Sequence, residues 1–355
     1  MKQRRVTLAD VARRAGVSSP TASLVLSGRG SELRISEAAQ QRVQEVAAHL
    51  GYRPNIVSRG LRKGSSLTLG FVSDTVATSQ LAGDLIKGAL EAAHDRGFML
   101  FIGETEGDPA LERQLLDALL DRQVDGIILA SMFTRSRSVP AGLGAVPAVL
   151  LNALGEDLDA PLPTVVPDEM DAGRRAARLL LDAGHRRIHV IGAGPTADLV
   201  PPGTVAGRDR LAGILEVLAA AGVQVVSGHL CDEWLPANGY AATRRILDAG
   251  GGQDAIITFN DRLAFGAYQA LQEAGLAVPS DVSIVSFDDH PLADWLRPGL
   301  TTFGLPHEQL GRRAVEILLE VVRARAGTGE APSGVERLPM PLRTRGSVAT
   351  CSTRP

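Results

Sequence analysis

Five polar residues sit immediately after short apolar runs: Asp74 after LTLGFVS, Asn260 and Asp261 after AIITF, and Asp288 and Asp289 after SIVSF. Each run has the length and composition of a buried strand, so these carboxylates and the amide stand at strand ends, where open α/β sheets bind ligands. Carboxylates and amides converging on a cleft make paired hydrogen bonds to neighbouring hydroxyls, which suits a sugar. Trp234 could stack on a sugar ring or serve as a core indole. Asp261 and Asp289 read equally well as caps of the helices that follow. The doublet Asp288–Asp289 does not suggest acid–base catalysis, because adjacent side chains point apart and no nucleophile or metal cluster accompanies them; an enzyme is not expected. GAGPT, residues 192–196, follows a strand but lacks both phosphate-loop spacings, so it reads as a turn. Cys231 and Cys351 are the only cysteines, far apart in the chain, and suggest neither a disulfide framework nor a metal site. No cofactor is expected.

A second chemistry lies near the N-terminus. Residues 1–63 hold 12 Lys/Arg against 4 Asp/Glu, net +8, leaving 25 against 36, net −11, for the remainder. A basic head on an acidic body fits phosphate binding at one end, since counterion release drives such contacts. Within the head, TLADVARRAGVSSPTASLVLSG reads as helix, turn, helix. Thr7 caps the first helix with Asp10 three residues on, and Gly16 stops it. Ser18 caps the second helix, Pro20 falls in its first turn, and the helix runs to about Leu26. Its outer face carries Ser19, Thr21, Ser23 and Leu24, small enough to approach a major-groove floor. A third helix, Ser36 (cap) to Leu50, completes an apolar core with Val43, Val46 and Ala47.

The elements that must hold the first set of residues come after a linker rich in Pro, Gly, Ser and Arg between Leu50 and Leu67. Asn55 could cap a short helix, Ile56 to Arg62, too brief to stand alone in water. From Leu67 short apolar runs alternate with helical patterns, and the alternation restarts after Asp168, which implies two similar doubly wound halves. At 355 residues, 45% hydrophobic and 22% charged, the chain has room for two or three domains of ordinary globular composition. MKQRRVTLAD has no apolar region behind its charges and no stretch approaches a membrane span, so a cytoplasmic protein without membrane association is expected.

LADVARRAGVSSPTASLVLSG, followed by GYRPNIVSRGLR, resembles the lactose-repressor (LacI/GalR) family of bacterial transcription regulators. The likeness continues in GHRRIHVIG (184–192), FNDRLAFGAYQAL (259–271) and SIVSFDDHPLADWLRPGLTTFGLP (283–306). It implies an all-α helix-turn-helix head, a hinge helix, and an α/β body of two doubly wound subdomains resembling type I periplasmic binding proteins. The expected boundaries are 1–53 for the head, 54–66 for the hinge and 67–355 for the body. The N-subdomain would take about 67–166 and 300–326, and the C-subdomain about 167–292 and 335–350. The three crossovers would then fall near Val166, residues 292–300 and residues 326–335.

The resemblance also implies a homodimer on a pseudo-palindromic double-stranded operator, with Leu61 as a minor-groove wedge and Asn55 and Ser58 beside it on the hinge. Asn260 and Asp288 match effector-contacting positions of the family, Arg210 a basic one, and Arg208 stands beside it. The expected function is a repressor whose operator affinity is set by a small molecule. A carbohydrate is the leading effector class; a purine or nucleoside on the same scaffold, or a solute-binding protein, are the alternatives. The reader departs from the family pattern. Pro20 and Leu24 replace common polar side chains, so contact of Leu24 with a thymine methyl could substitute for hydrogen-bond readout. GRGSELRIS reads as a longer loop than is usual in the family, from which Arg29 or Arg34 could reach phosphate. No leucine heptads follow Val335, which favours a dimer over a tetramer.

Overall fold

The computed structural model describes residues 6–52, 65–79, 83–140, 142–156, 162–250 and 255–351. It divides into two units, Met1–Ser66 and Leu67–Pro355. The expected hinge residues Asn55, Ser58 and Leu61 lie outside the described residues.

In the head, α1 (Leu8–Ala15), α2 (Ser19–Leu26) and α3 (Glu37–His49) are set by local signals. The Thr7 hydroxyl accepts from the Asp10 N–H at 3.3 Å, and the Asp10 carboxylate accepts from the Thr7 N–H at 3.0 Å. This reciprocal box satisfies donors that a helix start leaves open. Gly16 then takes a left-handed φ of 67°, which only glycine adopts without a penalty. The Ser18 hydroxyl accepts from the Thr21 N–H at 3.2 Å. Ser36, expected as the cap of α3, makes no side-chain capping bond; Gln40 instead donates to the Ile35 carbonyl at 2.7 Å. Val11, Ala22, Val25 and Val43 form the buried centre, and Val17, Leu26 and Tyr52 pack around it.

The body contains two six-stranded sheets. The first, in the order β11-β5-β4-β3-β1-β2, comprises β1 (Thr68–Ser73), β2 (Met99–Glu104), β3 (Gly126–Ser138), β4 (Ala148–Glu156), β5 (Thr164–Pro167) and β11 (Val335–Leu338). The second, β12-β10-β9-β8-β6-β7, comprises β6 (Ile188–Gly192), β7 (Val225–Leu230), β8 (Ala255–Thr258), β9 (Ser283–Asp288), β10 (Thr301–Gly304) and β12 (Leu342–Arg343). Every pairing is parallel except β10 with β12. Helices α4 (Gly83–Asp95), α5 (Pro109–Asp121) and α11 (His307–Arg325) cover the first sheet; α6 (Glu169–Asp182), α7 (Val205–Ala220), α8 (Pro236–Asp248) and α9 (Asp261–Glu273) cover the second, with the short α10 (Leu292–Trp295) against α9. Central strands such as β8 and β9 are therefore buried on both faces, and read as unbroken apolar runs.

Two crossovers differ from the expected positions. β10 pairs with β9, so residues 301–304 belong to the second half and the chain returns to the first at Leu305–Pro306, not at 292–300. β11 pairs with β5, so residues 335–338 belong to the first half and the last crossing lies at 339–341. Strand partners are chosen by the sheet edge available, which TTFG and VERL do not encode locally.

The second half is held by close helix contacts at glycine. A Cβ on Gly173 of α6 would stand 2.2 Å from the Arg210 carbonyl oxygen of α7, and one on Gly213 of α7 would stand 2.1 Å from that of Met170. Backbone approaches backbone there, which fixes the register of α6 against α7.

β3 continues well past the sheet. After a register shift between Ala130 and Arg135 it pairs with residues 153–156 of β4, and Arg135 forms an antiparallel bridge with Thr204 of the second half. MFTRSRS carries no apolar run or alternation, so only the pairing makes it a strand.

Candidate functional site

Between the two halves opens a cleft of about 720 Å³. The first half contributes Phe133, Thr134 and Asn152 from the extended β3 and its neighbour β4; the second contributes Glu169, Arg210, Trp234, Asn260, Arg262 and Asp288.

Arg210 is the anchor of the second wall. The glycine contact places it opposite the first turn of α6, where Glu169 accepts from its Nε at 2.5 Å and from its Nη2 at 3.0 Å. Nη1 donates to the Phe259 carbonyl, and Nη2 reaches Asp288 at 3.4 Å. The guanidinium lies over the Phe287 ring at 4.7 Å and the Trp234 ring at 5.8 Å. Burial opposes its charge, but the Glu169 and Asp288 carboxylates outweigh that and raise its pKa above the usual arginine value. Asp288 keeps 22% of its side-chain surface open to the cleft, at a left-handed φ of 108°. Burial pushes its carboxyl up to about 6, against the pull of Arg210. Behind it, Asp261 is fully buried and accepts from the His290 N–H at 2.7 Å and the Thr302 hydroxyl at 2.8 Å. Burial, then the neighbouring Asp288, pushes Asp261 up to about 8.

Of the candidates singled out in the sequence, the cleft brings together Arg210, Trp234, Asn260 and Asp288. Asn260 uses both ends of its amide: Oδ1 caps α9 through the Leu263 N–H at 2.9 Å, and Nδ2 donates to the Trp234 carbonyl at 3.1 Å. Trp234 Nε1 donates to the Gly192 carbonyl at 3.1 Å, its ring is near-perpendicular to that of Phe259, and the half-buried indole lines the cleft. Asp289 lines the cleft too, bound by Arg343 at 3.1 Å and Arg345 at 2.8 Å.

Two candidates stand elsewhere. Asp74 is not on the cleft wall: its carboxylate accepts from Arg135 Nη2 at 2.6 Å and from the N–H groups of Thr75 and Met132, which tethers the extended β3. Arg208, two residues before Arg210 on α7, is turned outward onto Asp209 at 2.8 Å. Residues 208 and 210 lie 200° apart around a helix, so only one of them can face inward. Glu169, Asn152, Thr134, Phe133 and Arg262 were not singled out. Glu169 reads in sequence as an ordinary first-turn acid of a helix capped by Asp168, and only the α6–α7 contact reveals its partner.

On the head, Thr7, Ser18, Ser19 and Pro20 are exposed, and Thr21, Ser23 and Leu24 partly so. Ser18 spends its hydroxyl on Thr21, by its N–H and by its Oγ1 at 2.8 Å, so it orders the helix start. Arg29 Nε donates to Glu32 at 3.0 Å, with both side chains largely in solvent. No helix among the described residues is long and apolar enough to cross a membrane.

Comparison with known proteins gives a consistent picture. The family model "Bacterial regulatory proteins, lacI family" matches residues 7–55, and "Periplasmic binding protein-like domain" matches residues 177–348. The ribose operon repressor of Escherichia coli (strain K12) is 32% identical over 316 residues, covering 88% of this chain and 92% of that protein. The HTH-type transcriptional repressor PurR of Mannheimia succiniciproducens is 28% identical over 322 residues, covering 88% and 91%. Among solved structures, the Lac repressor dimer bound to operator and the anti-inducer ONPF superposes with a TM-score of 0.79 at 26% identity, covering 98% of this chain and 100% of that one.

Proposed function

Because the chain belongs to the LacI family of bacterial regulatory proteins and is a DNA-binding transcriptional regulator, we propose that it is a cytoplasmic repressor. It binds a pseudo-palindromic operator as a homodimer and responds to a carbohydrate held in the cleft. The observation that carries the effector reading is the Glu169–Arg210–Asp288 cluster, which opens onto a cavity with walls from both halves. The Asp288 carboxylate offers hydrogen bonds to ring hydroxyls, each of the Asn152 and Asn260 amide nitrogens keeps a second N–H beyond its internal bond, and Phe133 and Trp234 offer apolar surface for the ring itself.

A ligand touching both walls favours one relative orientation of the halves, and it can shift the regulator only by its differential affinity for the two states. Dimer formation is supported by the outer strand of each sheet. Met99, Phe101 and Ile102 on β2 are 60%, 41% and 40% exposed, and Val226 and Leu230 on β7 are 44% and 43% exposed. Large apolar side chains along an exposed strand edge mark a surface that is covered in the working assembly.

Thermal denaturation of the full-length protein against a panel of sugars and nucleosides tests the reading. A ligand at 100 times its Kd stabilises the fold by about 2.7 kcal/mol. A hit must also change operator affinity in a gel-shift titration. Stabilisation by nucleosides alone would replace the carbohydrate assignment, and a hit insensitive to Asp288→Asn would move the site out of this cleft.

A further inference from the structure

Among the described residues, the arginines of the cleft lining separate into two with carboxylate partners and one without. Arg210 answers Glu169 and Asp288, Arg343 answers Asp289, and Glu308 is paired with Lys87 at 2.9 Å. Arg262 differs. It is mostly buried on the cleft wall, its Nε is shielded from solvent without a hydrogen-bond partner, and its guanidinium has no ion pair among the described residues. The guanidinium thus lines the cavity with no carboxylate among the described residues to answer its charge, and an anionic occupant of the cavity would supply the missing partner.

What completes a guanidinium best is an anion. Its forked donors match a carboxylate or phosphate, where a lone hydroxyl uses one of them. Arg262 also lies in the first turn of α9, a helix of 13 residues whose cap Asn260 is itself on the cleft wall, so the positive end of the helix dipole adds to the same side. The nearest acids do not supply the missing partner. Asp288 is taken by Arg210, and Asp261 is turned to the His290 N–H and the Thr302 hydroxyl. Asp84 and Asp232 stand exposed in the lining, open to water.

We propose that the effector carries an anionic group, a phosphate ester or a carboxylate, and that Arg262 selects for it. The proposal rests on the cleft being the effector site. Its first test is thermal denaturation of the full-length protein in inorganic phosphate against chloride of equal ionic strength, for the parent, Arg262→Gln and Arg262→Lys. Phosphate bound by the basic head is common to all three, so the difference between them reports the cleft. The expected result is a phosphate-dependent rise in Tm for the parent that is lost in Arg262→Gln and partly kept in Arg262→Lys. Equal rises in parent and Arg262→Gln, or none in either, overturn the proposal.

Calorimetric titration with D-glucose, D-glucose 6-phosphate and D-gluconate, and with D-ribose and D-ribose 5-phosphate, then separates the two anions. The expected preference for an anionic member over its neutral parent is about ten-fold in Kd, falling to about two-fold in Arg262→Gln. A neutral sugar bound as tightly as its anion, still sensitive to Asp288→Asn, would leave the cleft reading standing and remove the role of Arg262. Sugar binding indifferent to Asp288→Asn would instead remove the cleft reading.

Discussion

Arg210 and Glu169 form a two-point ion pair, Nε to Oε2 at 2.5 Å and Nη2 to Oε1 at 3.0 Å, with 3% of either side chain exposed. Two charges withdrawn from water are stable there only because each satisfies the other, and the contact of α6 and α7 across Gly173 and Gly213 sets the distance.

Removing one partner therefore strands the other. Glu169→Ala is expected to destabilise the body by about 3–5 kcal/mol, the usual cost of an uncompensated buried charge. Urea unfolding followed by circular dichroism checks this, and a loss below about 1 kcal/mol would mean that water or Asp288 replaces Glu169.

Asp288 couples the cleft to the rest of the molecule in our reading. Asp288→Asn is expected to abolish the effector's influence on operator binding, typically a 5- to roughly 150-fold change, while ligand-free operator affinity stays near that of the parent. Operator titrations of both proteins across an effector series decide it; a variant with parental midpoint and amplitude would contradict the assignment.

Asp261 supplies a pH signature. Its folded pKa is raised to about 8 from the ordinary 3.8, chiefly by burial, so the folded protein keeps a proton that the unfolded chain releases. Stability from this group is full at low pH and is lost as pH climbs from about 4 through about 8, at a slope of up to ~1.4 kcal/mol per pH unit. Asp261→Asn lacks that slope while its amide oxygen can still accept from His290 and Thr302. The variant should therefore gain in Tm relative to the parent between pH 5 and 8 and hold level above. Parallel curves across that range would show that Asp261 does not titrate there.

The basic head predicts steep salt dependence. With net +8 over residues 1–63, operator affinity should fall by orders of magnitude between about 50 and 200 mM salt, as phosphate contacts release counterions. Fluorescence anisotropy with a labelled duplex measures it, and a flat log–log slope would exclude phosphate neutralisation as the basis of binding.

The helix-turn-helix was legible because its determinants are local. Thr7 and Asp10 are three residues apart, Gly16 needs no distant partner to take its left-handed turn, and Ser18 caps within its own helix. Most strands and helices of the body were legible for a related reason: both faces of a parallel sheet are buried, so AIITF and SIVSF must be continuous apolar runs. Strand ends follow from that, and with them Asn260 and Asp288.

Partnership was not legible, since nothing in a side chain states what lies across from it. TTFG fits either sheet, and pairing with β9 assigned it to the second half. MFTRSRS became strand through residues 153–156 and the bridge to Thr204. Arg208 and Arg210 are equivalent as residue types, but helix packing turned one into the protein and left the other on Asp209. Asp74 looked like a cleft acid until Arg135, 61 residues later, took its carboxylate. Local sequence determined the head, the alternation of strands and helices, and the positions of strand ends, because backbone propensity and burial act over a few residues. Tertiary structure alone decided which charges are paired and that Arg262 has no ion pair among the described residues, because the energy of a buried charge depends on neighbours that only chain folding brings within 4 Å.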